Sequence, residues 1–547
     1  MNKTIKKTSF AIIAISFAVS SLLVGCSKDE KIENVQTEPT PPRSIDVVEL
    51  GLTGSLALLE SGDATSFELT SSYLARIKAY DDAYGSEPGL HAIITVNKNA
   101  LDEAKQLDEE RAAGTLRGPL HGVPLIIKDN FATKDMPTTN GSIAFADYQT
   151  DKDATIVNKL REAGAIILAK SNLSEFAWSG EDSISSIRGE VRNPYDQTRT
   201  SSGSSGGTAA AISASMGAAG FGSDTYGSIR NPSAHQSLVG VRTTKGLVST
   251  AGITPQVAYL DTAGPMTISV TDAAILLDVV AGYDPEDPYT NAIQGKKLGS
   301  YASSLSNSSL KGKKIGFVDL SDDPDGTYAK FADERNRVKV LINQAKADIE
   351  AQGATVVLIK ESDFSSMWNH IEWDSIKYYI DDWFTKIPAN WPNHLAELAE
   401  PTNALTLDDY IADGRAIQEI ADSKDWLLTA SKPSVFEEDV ARKSVNLEKF
   451  KALYTKLGLD AIVYATDSIT ASKITGDDKF HNDAWSALAS GLGLPVVTVP
   501  AGFTSSGLPV GLSLLGLPYS EGELLSYAYN YEQATHHRVA PSSTPKL

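Results

Sequence analysis

The sequence predicts an α/β fold in one large domain, and three observations carry that expectation. An amphipathic run over 155–163 stops at Gly164 and passes into the apolar stretch 165–169, the helix-to-strand alternation of α/β architecture. The alternation returns downstream: strand-like runs at 314–320, 354–360, 461–465 and 495–500 lie among amphipathic stretches at 328–351, 433–456 and 521–536. At 547 residues with 41% hydrophobic side chains and no internal repeat, the chain has apolar material for one large core.

The amino terminus reads differently. Lys3, Lys6 and Lys7 precede an apolar run over 10–24, then Gly25 and Cys26, which is the pattern of a secretory signal peptide over 1–25. The run is shorter than the roughly 20 residues that span a bilayer. Leu23-Val24-Gly25-Cys26 resembles the bacterial lipobox, in which the cysteine is acylated and becomes the first residue of the mature chain. The expectation is an exported lipoprotein anchored at Cys26, with Ser27 after it consistent with a bacterial outer membrane or cell surface. Cys26 is the single cysteine, so an internal disulfide is excluded. Residues 26–45 are polar, carry Pro39, Pro41 and Pro42, and read as a disordered tether. The globular domain is then expected over 46–541, with a tail at 542–547.

Within the domain, Thr65 and Glu68 form a capping-box pattern ahead of Leu69, Tyr73, Leu74 and Ile77, and a second helix is predicted from Ala100 towards Gly114. Val123-Pro124-Leu125-Ile126-Ile127 is a short apolar run of buried-strand type that delivers Lys128 at its end. The stretch 284–478 is richer in aromatic and acidic residues, including Trp368, Trp373, Trp383 and Trp391, and reads as a helical, substrate-covering region or as further packing.

Charge and motif spacing exclude several functions. With 69 acidic against 49 basic residues the formal charge is −20, which repels phosphate backbones and argues against nucleic acid as a partner. The eight histidines show no H-E-x-x-H spacing, so neither a metal nor another cofactor is expected. The loop TSSGSSGG at 200–207 runs into an alanine-rich helix but lacks the Gly-Lys-Ser/Thr ending of a phosphate-binding loop. Gly203-Ser204-Ser205-Gly206-Gly207 formally matches the G-x-S-x-G nucleophile elbow, which would make Ser205 a nucleophile, yet an elbow follows a strand and 192–202 is polar and turn-like.

The segments HGVPLIIKDN (121–130), SSGSSGGTAAA (201–211), GSDTYGSIRNPSA (222–234), DTAGPM (261–266) and LGLPVVTVPAG (492–502) together resemble the amidase signature family, in order and at family spacing. The resemblance implies a large mixed β-sheet core flanked by helices, a single catalytic domain, and cleavage of carboxylic amides to acid plus ammonia or amine. It implies a triad of a lysine, a serine in an unusual cis peptide and a nucleophilic serine 24 residues further on, the separation of Ser204 and Ser228; the lysine is Lys128. Chemistry fits these types, since a serine hydroxyl needs a base and a lysine serves as one only where burial lowers its pKa from about 10.4.

The resemblance also places the N–H groups of Thr225, Tyr226, Gly227 and Ser228 around the substrate oxygen. Gly203 would shape the cis-serine loop. Ser205 is open between a bond within the triad and a cap on the following helix, and Asp224 with Arg230 is expected as a structural pair. Without the resemblance, a salt bridge from Lys128 to Asp129 or another carboxylate is the favoured reading, and His121 is assigned to local packing and hydrogen bonding. Common members carry two glycines before the nucleophile; Tyr226-Gly227 departs from this and is similar to peptide amidase-like members, which points to peptide C-terminal amides. A second departure is 241–246, where the family usually has a proline after its basic residue. A role as the glutaminase component of a transfer-RNA amidotransferase is disfavoured by the export signal, and the alternatives are a lipid-anchored binding protein that kept only the fold or an α/β-hydrolase-type esterase using Ser205.

Overall fold

Runs of apolar residues with no polar alternation fold as strands covered on both faces, and Pro124–Lys128 and Ile166–Ser171 are buried along their whole length. In this computed structural model, which describes residues 43–320, 329–367, 374–385, 406–412, 414–423, 433–475 and 484–547, they lie in one 11-stranded mixed sheet. Its strands are β1 Ile93–Val96, β2 Pro124–Lys128, β3 Ile166–Ser171, β4 Ala219–Asp224, β5 Val239–Arg242, β6 Thr262–Thr267, β7 Lys314–Val318, β8 Thr355–Ile359, β9 Ala461–Ala465, β10 Val496–Phe503 and β11 Pro509–Leu515. The order across the sheet is β1-β3-β2-β4-β6-β5-β10-β11-β9-β7-β8. β3, β2 and β4 run parallel, as do β9, β7 and β8, and the strands between these groups are antiparallel. Pro42–Leu547 is one compact unit.

Helices flank the sheet. The Ser66–Tyr80 helix starts on a complete capping box, with Thr65 accepting from the Glu68 N–H and Glu68 accepting from the Thr65 N–H. Its Leu69, Tyr73 and Ile77 are buried in the main core. The Ala100–Ala112 and Thr155–Glu162 helices stand where the periodicity places them. The predicted 328–351 helix is an α-helix over Ala332–Ala351, preceded by a 3-10 turn at Ala329–Phe331. No helix among the described residues is long and apolar enough to cross a membrane. The expected leader, Cys26 and most of the tether lie outside the described residues.

The 284–478 stretch supplies β7, β8 and β9 to the main sheet, so it frames the domain as well as covering it. Its aromatics take the packing role where they are described. Trp383, Phe384 and Tyr410 stack or tilt against Phe145 and stand edge-to-face with Phe176, with ring centroids 5.2–6.0 Å apart, in a second core beside the main one. Trp368, Trp373 and Trp391 lie outside the described residues. What this architecture does for the site is bring the carboxyl ends of parallel β3, β2 and β4 to one edge of the sheet, where open α/β sheets place their ligands.

Candidate active site

Lys128 is the last residue of β2, and its side chain is fully buried. From there its Nζ donates to Ser204 Oγ at 2.7 Å and to Ser223 Oγ at 3.0 Å. Asn130 Nδ2 donates to the same Ser223 hydroxyl at 3.0 Å. Burial pulls the Lys128 ammonium down to about 7, against the opposing attraction of Asp224 and Asp261. The salt bridge to Asp129 does not form. Successive strand residues point to opposite sides, and Asp129 turns away to Lys170 Nζ at 2.9 Å and to the Thr139 N–H at 3.0 Å. The neighbouring carboxylate thus has its own partner, and Lys128 has only hydroxyl and carbonyl oxygens around it.

Ser204 sits in a loop fastened from outside: the Ser174 N–H donates to the Ser204 carbonyl at 3.1 Å, the Gly203 N–H to Gly180 at 2.9 Å, and Ser183 Oγ to Ser202 at 2.9 Å. The Gly203–Ser204 peptide is cis. Gly203 is required by close approach, because a Cβ there would stand 2.0 Å from the Asp182 carbonyl oxygen. Ser205 follows at the start of the Gly206–Ser213 helix but makes no side-chain cap; its hydroxyl donates to the Ser223 carbonyl at 3.1 Å. A strand, Asp196–Thr200, does precede this loop, contrary to the turn-like reading of 192–202. It belongs to a small hairpin with Arg192–Asn193, held in part by Arg199 and Thr200 bonds to 471 and 472, rather than to the main sheet. The elbow reading of Ser205 fails on its partner, a backbone carbonyl instead of a histidine.

Beyond β4 the chain turns through Thr225, Tyr226 and Gly227 to Ser228, which is 5% exposed beside Ser204 at 0%. The Ser205 N–H donates to the Ser228 carbonyl at 3.2 Å, which draws the two serine loops together. Gly227 has φ 121°, a conformation that side-chain-bearing residues rarely adopt. The Asp224 carboxylate sets this turn, accepting from the Gly227 N–H at 3.0 Å and the Ile229 N–H at 3.1 Å. The Gly227 N–H is therefore engaged by Asp224 and corrects the expected set of four oxyanion donors, whereas the Thr225 and Ser228 N–H groups make no hydrogen bond among the described residues.

Asp224 pairs with Arg230 as expected, with Nε at 3.0 Å, and also with Arg242, whose NH1 reaches Oδ1 at 2.6 Å. All three side chains are fully buried. Burial alone would raise the Asp224 pKa, but the two guanidinium groups and the Gly227 N–H outweigh it and hold the carboxyl well below the usual carboxylate range. Thr225 Oγ1 is fixed in turn by Asp261 Oδ1 at 2.6 Å. Sequence reasoning did not single out Ser223, Asn130, Arg242 or Asp261 for roles; Asn130, Ser223 and Asp261 stand inside the motif segments, but only the fold shows what they touch. His121 does what was assigned to it, bonding Leu107 and Arg117.

The model of the Amidase family matches residues 68–525. The chain belongs to that family. This amidase is 33% identical over 491 residues to a glutamyl-tRNA(Gln) amidotransferase component from Synechococcus sp. (strain CC9605), covering 87% of the chain and 94% of the relative. It is 34% identical to a probable amidase of Arabidopsis thaliana, over 87% of the chain and 88% of the relative. Among solved structures, native peptide amidase from Stenotrophomonas maltophilia superposes with a TM-score of 0.76 at 34% identity, over 91% of the chain and 99% of that structure. The amidase signature fold expected from the sequence, a single domain built on a mixed sheet flanked by helices, is the fold found, and the chain is an amide-hydrolysing enzyme.

Proposed function

We propose that this amidase hydrolyses peptide or small-molecule amides by an acyl-enzyme route in which Ser228 is the nucleophile, Ser204 the proton relay and Lys128 the base. The observation that carries the reading is the 2.7 Å bond from Lys128 Nζ to Ser204 Oγ in a buried site where the lysine titrates near 7. Ser228 Oγ forms a bond to the amide carbonyl carbon; its proton passes to Ser204, whose own proton passes to neutral Lys128. The carbonyl oxygen becomes the oxyanion, facing the N–H groups of Thr225 and Ser228 and the Tyr226 segment between them. The relay then runs in reverse, protonating the nitrogen as the C–N bond breaks, and ammonia or an amine leaves. Water, deprotonated by the same relay, releases the acid.

Peptide C-terminal amides are the substrate class supported by the likeness to peptide amidase and by Tyr226 in place of a glycine. The test is ammonia release from a panel of amidated dipeptides, simple acyl amides and aryl amides. Dipeptide amides are expected to be turned over fastest, and Ser205→Ala is expected to lower kcat by no more than about tenfold, since it removes one neutral hydrogen bond. Full activity in Ser228→Ala with loss in Ser205→Ala would overturn the assignment.

Because the base must be neutral, kcat/KM is expected to rise about tenfold per pH unit below about 7 and to level off above it. A pH–rate profile that is flat between about pH 5 and 8 would show that the group titrating near 7 is not the base.

Export and anchoring are part of the proposal, resting on the basic start, the apolar run and Cys26. The full chain should partition with membranes in its host, and Cys26→Ala should move it to the soluble fraction; equal partitioning of the two would argue against a lipid anchor.

A further inference from the structure

Lys245, just beyond β5, and Lys443, on the Pro433–Leu457 helix, are two cations near enough for one to repel the other, and neither has an ion-paired carboxylate among the described residues. Lys245 Nζ donates to the Asp261 backbone carbonyl at 2.7 Å and lies 3.9 Å from the centre of the Tyr289 ring. Lys443 Nζ donates to the Tyr259 carbonyl at 3.2 Å. The two meet over Gly493, where an added Cβ would stand 2.9 Å from Lys443 Nζ and 3.2 Å from Lys245 Cβ. Both side chains are half-buried. Burial lowers both, Lys245 to about 8 and Lys443 to about 7, and the mutual repulsion lowers Lys443 further.

Asp261 and Asp287 partly offset the lowering at Lys245, but neither forms an ion pair with either lysine among the described residues. The Asp261 carboxylate is already occupied by Thr225 Oγ1 at 2.6 Å and by the Gln256 and Val257 N–H groups at 2.9 and 3.2 Å. In a chain with 69 acidic and 49 basic residues, two half-buried cations with no ion-paired carboxylate among the described residues are positioned to attract an anion. The location gives that attraction a purpose. Asp261 is held at its carboxylate by Thr225 of the loop before Ser228 and at its carbonyl by Lys245, so one residue joins the oxyanion side of the site to the lysine pair.

We propose that Lys245 and Lys443 bind a carboxylate carried by the substrate, so that this amidase prefers amides bearing an acid group remote from the scissile bond. The proposal rests on the amide-hydrolase reading above and adds a substrate class to it. Two ammonium donors tied through Asp261 to the loop before Ser228 are the kind of charged group that fixes a ligand's orientation. An acid bound there neutralises the pair and restores their protonation at neutral pH.

The test uses the full-length protein with succinamate, glutaramate and adipamate against their neutral counterparts butyramide, valeramide and hexanamide. At matched chain length at least one acid-bearing amide is expected to show about tenfold or higher kcat/KM, carried mainly by a lower KM. Lys443→Met should abolish that preference while leaving the neutral amides unchanged, and Lys443→Arg should restore it. Hydrolysis of neutral amides with no acidic preference, or an equal loss on both series in Lys443→Met, overturns the anion site and leaves the amidase reading standing. If none of the six amides is hydrolysed, calorimetric titration with succinate and adipate decides the matter: binding that Lys443→Met weakens about tenfold or more supports the site, and no binding of either dianion overturns it.

Discussion

Ser228→Ala and Lys128→Met are each expected to lower kcat for amide hydrolysis by about 10⁴-fold or more, the range seen when one member of a serine triad is removed, with the folded structure retained. The losses should not add in the double variant, because both residues serve one proton path. Rates from purified single and double variants, with circular dichroism as the folding control, check this; a Lys128→Met chain that keeps a tenth of the parent rate would exclude it as the base. The same variant carries a stability signature of unusual sign. Folded Lys128 titrates near 7 and an unfolded lysine near 10.4, so between these values the unfolded chain holds a proton that the folded chain lacks. Stability from this group therefore rises with pH through that window and is lowest below about 7, where the folded chain must bury the cation. Methionine removes the term while leaving Ser204 without the Lys128 donor and Ser223 with Asn130 alone. The difference in unfolding free energy, variant minus parent, is then expected to be most favourable near pH 6 and to shrink by several kcal/mol towards pH 10. A pH-independent difference in denaturation midpoints would mean that Lys128 is not depressed in the folded state.

The elements that sequence reasoning reached and those it missed differ in what their side chains do. β2, β3, β7, β8, β9 and β10 are runs of branched and apolar residues, and their pattern alone marks them as strands. β4 and β6, which carry the nucleophile loop and its support, read AGFGSD and TAGPMT and hold little strand propensity. Their small residues answer to contact instead. A Cβ on Gly222 would lie 2.7 Å from Ser205 Oγ, and one on Gly264 would lie 1.9 Å from the Val241 carbonyl oxygen. Packing that brings serine loops close to the sheet thus erases the signal by which a strand is recognised.

The site shows the same division. Lys128 at the end of an apolar run is visible locally, but Ser204 is 76 residues away in sequence, and no periodicity joins them. Family resemblance supplied the pairing, and the fold supplies the reason that Lys128 does not pair with Asp129, namely Lys170 on the adjacent strand. Arg242 was noticed only for the missing proline after it; as the second guanidinium on Asp224 it is part of the turn that holds Ser228.

Asp224→Asn should therefore be among the most damaging single changes away from the triad. The substitution keeps the shape but removes the charge that two buried guanidinium groups share, and it puts an amide donor against at least one of them. Leaving buried cations uncompensated costs about 3 to 5 kcal/mol, which urea denaturation of parent and variant can measure. The Gly227 and Ile229 N–H groups use different carboxylate oxygens, so one of them then faces an amide NH2 in place of an acceptor, and a displacement of about 1 Å at the nucleophile lowers kcat by about 10²-fold. The pH dependence separates a charge effect from simple misfolding. The folded Asp224 pKa is depressed, so its stabilising contribution is present above the unfolded value of about 3.9 and is lost only as pH falls through the lower folded value. The gap between parent and variant is expected to be constant above about pH 5 and to narrow below about 4. Arg242→Met in the Asp224→Asn background should recover part of the lost stability, because it removes one of the cations left unpaired. If the double variant is less stable than Asp224→Asn by the full cost of Arg242→Met alone, the two residues are not coupled, and the turn at Ser228 is held by its backbone and not by this charge cluster.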